Sequence, residues 1–179
     1  MKKRIHIFGA SGSGTTTIAQ QACSKLGYRH FDSDNYFWLQ TAEPFTEERP
    51  GDQSLSMMEA DLSSCGQWIL SGSLTGWGDS IIPHFDLVVF VYVPQEILIS
   101  RLENRELERY GSNVLPGGSR YESCREFIEW AAAYDSGTRN GRSLLKHEAW
   151  LAELNCPTIR ITNLDLAESV EGVITAILA

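Results

Sequence analysis

Positive charge is what this chain has least of. Its 15 lysines and arginines face 23 acidic residues, which leaves a formal net charge of −8 over 179 residues. Phosphate backbones demand broad basic patches, so nucleic acid is excluded as an expected partner. Long hydrophobic runs are also missing. The N-terminus passes directly into a strand-like segment, so neither a membrane span nor a secretion signal is expected, and a cytoplasmic location is. The 4 cysteines form no C-x-x-C pair and no metal-ligand spacing, which points to free thiols in a reducing compartment. No internal repeat, low-complexity tract or linker breaks the chain. What remains, 42% hydrophobic and 21% charged residues, is ordinary for a globular protein. The length suits one domain, residues 1–179, with a sizeable core.

The most informative absence is a single lysine. Gly9-Ala10-Ser11-Gly12-Ser13-Gly14-Thr15-Thr16 satisfies the phosphate-loop pattern G-x-x-x-x-G-K-[ST] everywhere except at Thr15, where the lysine belongs. Glycines let successive backbone N–H groups curl around an anion, and the N-terminus of the next helix adds partial positive charge there. Gly9, Ser11, Gly12, Ser13, Gly14, Thr15, Thr16 and Thr17 are therefore the expected nucleotide-binding residues. The Thr16 hydroxyl is placed to serve magnesium. Any phosphate site must be a local positive pocket in an acidic body.

The flanks of this loop agree with it. Residues 4–8 read as a buried strand and residues 18–26 as a helix with Ile18, Ala19, Ala22 and Leu26 on one face, stopped by Gly27. Residues 28–31 read as a second strand, residues 35–52 as loop, and residues 53–64 as a helix. Trp68-Ile69-Leu70 is a short strand. Residues 87–93 are apolar without alternation, the mark of a parallel strand covered on both faces. Pro94 opens a helix to about residue 109, and residues 111–120 are a flexible loop. Ser123 caps a helix to residue 134, and a further helix spans residues 142–154. Residues 157–162 form a last strand and residues 166–178 a closing helix. Strands alternating with helices imply a parallel sheet wrapped on both sides.

Asp32 and Asp34 leave the second strand at its carboxyl end, the edge where open α/β sheets bind ligands. Phosphoryl transfer needs one acidic group to organise magnesium and another to orient the acceptor; the competing reading is two aspartates capping a turn. Arg101, Arg105 and Arg109 share one helix face at i, i+4 and i+8. They form either a phosphate clamp or a solvated face neutralised by Glu103, Glu106 and Glu108. Arg120, Arg125, Arg139 and Arg142 follow around the Pro116-Gly117-Gly118 loop. Tyr36, Phe37 and Trp38, with Trp77, are candidates for a stacking pocket or for core. His6 reads as buried, and no histidine carries a catalytic spacing.

Together these segments resemble the P-loop nucleoside, nucleotide and shikimate kinase group. Phe31-Asp32-Ser33-Asp34 is similar to the Asp-x-Asp segment of shikimate kinases, and Trp68-Ile69-Leu70-Ser71-Gly72 resembles the strand ending in Asp-Gly of nucleoside monophosphate kinases. The Phe-Asp-x-Asp-x-x-Phe-Trp stretch also looks like bacterial topology-modulation or shikimate-kinase-like proteins. The resemblance implies a three-layer α/β/α P-loop NTPase fold, a five-stranded parallel sheet, and a lid over about residues 110–122. It also implies ATP and Mg2+, with Thr16 and Asp32 serving the metal. Asp34, Arg101, Arg105, Arg139 and Arg142 are then the catalytic candidates. A nucleotide and a small-molecule acceptor are the expected partners, with a monomer or homodimer as the assembly. Thr15 in place of the lysine and Ser71 in place of an acidic residue keep a rival open: a nucleotide-binding switch or pseudokinase. A plainer anion-hole binder is the third reading.

Overall fold

Unbroken apolar strands dictate the centre of this molecule. The computed structural model describes residues 1–138 and 140–179. Strand β1 spans Arg4–Gly9, β2 Arg29–Asp32, β3 Trp68–Ser71, β4 Leu87–Tyr92 and β5 Thr158–Thr162. They form one parallel sheet in the order β2-β3-β1-β4-β5. Central strands β1, β3 and β4 are almost wholly buried, whereas edge strand β5 alternates exposed and half-buried residues. Burial on both faces needs side chains that are apolar at every position, which is why the central strands show no period of two.

The helices are α1 (Thr15–Leu26), α2 (Asp34–Phe37), α3 (Gly51–Ser63), α4 (Gln95–Tyr110), α5 (Tyr121–Ala132), α6 (Leu144–Ala152) and α7 (Leu166–Leu178). Ile5, Ile7, Val89 and Val91 face α1 and α7, packing on Ile18, Ala22, Val173 and Ile177. Phe8, Leu70, Val88 and Phe90 face the other side, against Met58, Leu62 and Trp150. The result is three layers. His6 is buried between the stacked rings of Phe8 and Phe85. Its Nδ1 donates to the Leu70 carbonyl at 3.1 Å, and burial lowers its pKa to about 3. No helix among the described residues is long and apolar enough to cross a membrane.

Two local expectations change, and a third segment gains local structure. The segment expected as loop from residue 35 begins as helix α2, because the Ser33 carbonyl accepts from the Tyr36 and Phe37 amides at 3.1 and 3.0 Å. Residues 38–49 then fold back on themselves, with Leu39 N donating to Glu47 O and Arg49 N to Phe37 O. Ser123 does not cap α5. It lies inside the first turn, its hydroxyl donating to the Arg120 carbonyl at 3.1 Å, and Arg120 occupies the cap position. The segment expected as a flexible loop is built from a 3-10 turn at Gly111–Val114 and closed by bonds from Gly118 N to Leu115 O and Arg120 N to Asn113 O.

Candidate active site

The sheet register brings the site together. Asp32 pairs with Ser71, Ser71 with Ile7, and Gly9 with Val91, so the ends of four neighbouring strands open on one edge. Between β1 and α1 the chain makes its tight loop. Gly12 and Gly14 hold φ of 85° and 90°, a left-handed conformation that residues with a Cβ resist. Space is equally demanding. A Cβ at Gly9 would lie 2.2 Å from the Val91 carbonyl oxygen, and one at Gly14 would lie 2.6 Å from Asn163 Nδ2. Thr15, Thr16 and Thr17 occupy the first turn of α1, where stiff β-branched side chains leave their hydroxyls at the rim.

A cavity of about 1610 Å³ opens over this loop. Of the sequence candidates, Ser11, Gly12, Gly14, Thr15, Thr16, Thr17, Asp32, Asp34, Arg101, Arg105 and Arg142 line it. Gly9 and Ser13 are not among its walls. Gly9 backs onto Val91, and Ser13 is fully buried behind the loop. Arg139 lies outside the described residues. Six basic side chains, Arg49, Arg101, Arg105, Arg109, Arg142 and Lys146, face three acidic ones, Asp32, Asp34 and Glu48. In a chain of net charge −8, that concentration makes a positive cleft suited to a polyanion.

Thr16 donates its hydroxyl proton to Asp32 Oδ2 at 2.9 Å, and Asp32 Oδ1 accepts from the Asp34 amide at 3.0 Å. One carboxylate thus joins the loop to the start of α2. The pair supplies hard oxygen donors, the kind that suits a small divalent cation keeping water and phosphate as its other ligands. Among the described residues, no group of three or more acidic, histidine or cysteine side chains forms a self-sufficient metal cage. Asp34 behaves differently. Burial raises its pKa, opposed by the Arg142 charge and reinforced by the neighbouring Asp32 carboxylate.

The arginines divide by their partners. Arg101 Nη2 donates to the Asn163 carbonyl at 3.0 Å. Arg105 donates through Nε and Nη2 to Glu106 Oε1 at 3.1 and 3.0 Å, with its guanidinium 5.6 Å from the Phe127 ring centre. Glu106 also draws Arg109 to 3.8 Å, which is how three like charges share one helix face. Arg142 Nη2 donates to Ser11 Oγ at 3.3 Å, in the loop itself. Arg120 pairs with Glu43, and Arg125 with Glu122 and Glu129 on the surface.

Of the aromatic group, Phe37, Trp38 and Trp77 line the cavity, with Phe37 5.4 Å from Trp77 and 4.8 Å from Trp38 between ring centres. Tyr36 turns the other way into the core and donates to Asp61 at 2.8 Å.

Two features escaped sequence reasoning. Asn163, only 2% exposed, donates through Nδ2 to the Ser13 carbonyl at 2.8 Å and accepts from Ser169 Oγ at 3.0 Å. Buried His147 has Nδ1 2.7 Å from the Tyr134 hydroxyl and Nε2 3.2 Å from the Ser73 hydroxyl, a polar strut behind the cavity wall. The only available signal was a polar residue directly following strand β5 and a histidine on the apolar face of α6.

No family model matches the chain. The uncharacterized protein YqaC of Bacillus subtilis is 47% identical over 161 residues, spanning 90% of this chain and 89% of that protein. A cytidylate kinase of Archaeoglobus fulgidus is 29% identical over 114 residues, 58% of this chain and 62% of that enzyme. Among solved structures, a shikimate kinase from Bacteroides thetaiotaomicron superposes with a TM-score of 0.59 at 17% identity, with 100% of each chain covered. That likeness establishes the architecture alone. The chain belongs to the family of Bacillus subtilis YqaC, and its fold is that of the P-loop kinases.

Proposed function

We propose that this protein transfers the γ-phosphoryl group of ATP to a hydroxyl or phosphate group of a small molecule or nucleotide. The observation that carries the reading is the Thr16–Asp32 hydrogen bond of 2.9 Å, which ties the anion-binding loop to the strand end bearing Asp34. Loop N–H groups and the N-terminus of α1 receive the phosphates. Thr16 and Asp32 would hold Mg2+, which would supply charge neutralisation to the phosphates. Asp34 orients the acceptor and takes its proton. The acceptor oxygen bonds to the γ-phosphorus as the bridge to the β-phosphate breaks, and ADP leaves with that electron pair. Cationic side chains of the cleft stabilise the three equatorial oxygens, with Arg101, Arg105 and Arg142 as the candidates. Phe37, Trp38 and Trp77 offer flat surfaces to the acceptor.

Thr15 favours a second reading, a nucleotide-binding switch without chemistry. Measuring ADP release with ATP, Mg2+ and pooled nucleosides, nucleotides and hydroxy acids separates the two. Turnover that Asp34→Asn suppresses more than ATP binding supports the kinase. ATP binding without ADP release from any acceptor supports the switch.

A further inference from the structure

An ATP site without its loop lysine lacks the cation that spans the β- and γ-phosphates. The cavity's basic groups differ in what they touch among the described residues. Arg101 is bonded to the Asn163 carbonyl, Arg105 to Glu106, and Arg49 to the carbonyls of Tyr36 and Trp38. Arg109 is exposed, beside Glu106 and the Phe45 ring. Lys146 is exposed. Arg142 touches Ser11, the third residue of the loop, at 3.3 Å.

Its setting is built. The guanidinium lies 5.8 Å from the centre of the Trp130 ring. The next residue, Ser143, is buried and caps α6 by accepting from Lys146 N at 3.3 Å, while Leu144 N donates to the Tyr134 carbonyl at 3.0 Å. The chain bearing Arg142 is therefore pinned on the turn after α5 and on α6. Arg142 also shares the cavity wall with Asp34 and is the largest favourable charge acting on it. A cation that touches the anion loop and shares a wall with Asp34 is placed to meet a phosphoryl group passing between them.

We propose that Arg142 replaces the missing loop lysine, gripping the γ-phosphoryl group between Ser11 and Asp34. This rests on the ATP-site reading above. A guanidinium is permanently charged, planar and able to offer paired donors, so it can hold Ser11 and two phosphate oxygens together. It exchanges no proton and forms no bond during transfer. Its contribution is to meet charge on the equatorial oxygens as the bridging bond breaks.

Because the contact is with the γ-group, its loss should distinguish ATP from ADP. Calorimetric titration of Arg142→Ala with each nucleotide and Mg2+ should show ATP weakened by about 10- to 100-fold, the worth of one charge-assisted contact, with ADP little changed. Retained ADP binding also certifies the fold. If alanine fails to fold, Arg142→Gln keeps most of the side-chain length without the charge and takes its place. Thr15→Lys should restore ATP affinity in the Arg142→Ala background while adding little to the parent, because both cations serve one charge. Equal weakening of ATP and ADP, unchanged ATP affinity, or the same lysine gain in both backgrounds would overturn the assignment. A parent that binds both nucleotides but phosphorylates nothing counts against the kinase reading, while the ATP-to-ADP ratio still decides Arg142.

Discussion

Asn163 Nδ2 donates to the Ser13 carbonyl across 150 positions of sequence, at 2.8 Å. This bond clamps the phosphate loop to the turn after β5, and the Asn163 main chain continues the clamp by accepting from Arg101. Asn163→Ala leaves a buried carbonyl without its donor, so it should destabilise the protein by about 1–3 kcal/mol. Nucleotide affinity should fall with it, since the loop loses a restraint on its anion-binding shape. Urea denaturation with a parallel ATP titration measures both. Unchanged stability and affinity would mean that the loop holds its shape without this bond.

Gly14 meets two separate objections to any side chain. Its φ is 90°, and an added Cβ would lie 2.6 Å from Asn163 Nδ2. Gly14→Val should therefore abolish ATP binding by displacing the loop, whereas Gly27→Ala should cost only local strain, because nothing lies within 4 Å of its Cβ position. Gly14→Ala and Gly27→Ala carry the same left-handed penalty of about 1–2 kcal/mol, so comparing those two isolates the steric part. Equal nucleotide binding by Gly14→Val and the parent would refute the loop as the phosphate site.

The parts of this architecture legible in the sequence are those encoded by neighbours. Residues 87–93 announce a covered parallel strand by their lack of alternation, and the loop glycines mark the turn that follows β1. Asp32 was legible because the loop identifies which sheet edge is active. Long-range decisions were not. Arg105 and Arg142 look alike on paper, but Glu106 takes one and Ser11 receives the other. Tyr36 and Phe37 part company because a single turn of helix α2, in a segment read as loop, sends one ring into the core and the next into the cavity. Ser123 misled because the bonded turn at residues 115–121 starts α5 before any side-chain cap is needed.

Asp34 carries a prediction with opposite signs for stability and function. Burial raises its folded pKa above the ordinary value of 3.8, so the folded protein holds that proton more tightly than the unfolded chain does. Stability from this group is full below 3.8 and is lost as pH rises through the raised value. Asp34→Asn removes the ionised form, so the variant should be more stable than the parent at neutral pH. The advantage should vanish as pH falls to the ordinary aspartate value. Turnover should drop by about 10²–10⁴-fold through loss of the proton acceptor. Chemical denaturation across that pH range reads the first effect, and an asparagine variant that is less stable at neutral pH would contradict it.

The segment at residues 110–122 meets the folded-back residues 38–49 through contacts that are weak singly. Arg120 lies 3.7 Å from Glu43, whose side chain is 70% exposed, and just before the segment Arg109 stands 6.0 Å from the Phe45 ring centre. Leu115, within the segment, is 48% exposed and anchors little. An exposed ion pair contributes about 0–1 kcal/mol, too little to hold a lid shut. A lid here would draw its closure from the ligand: Arg101, Arg105 and Arg109, on the helix that leads into the segment, line the cavity. Hydrogen exchange should be rapid at residues 111–120 in the free protein and slow when a non-hydrolysable ATP analogue and an acceptor are both bound. Glu43→Gln should alter the free-state exchange little and leave the ligand-induced protection intact. If that substitution abolishes the protection, or if exchange is the same with and without ligands, the segment is a fixed wall rather than a lid.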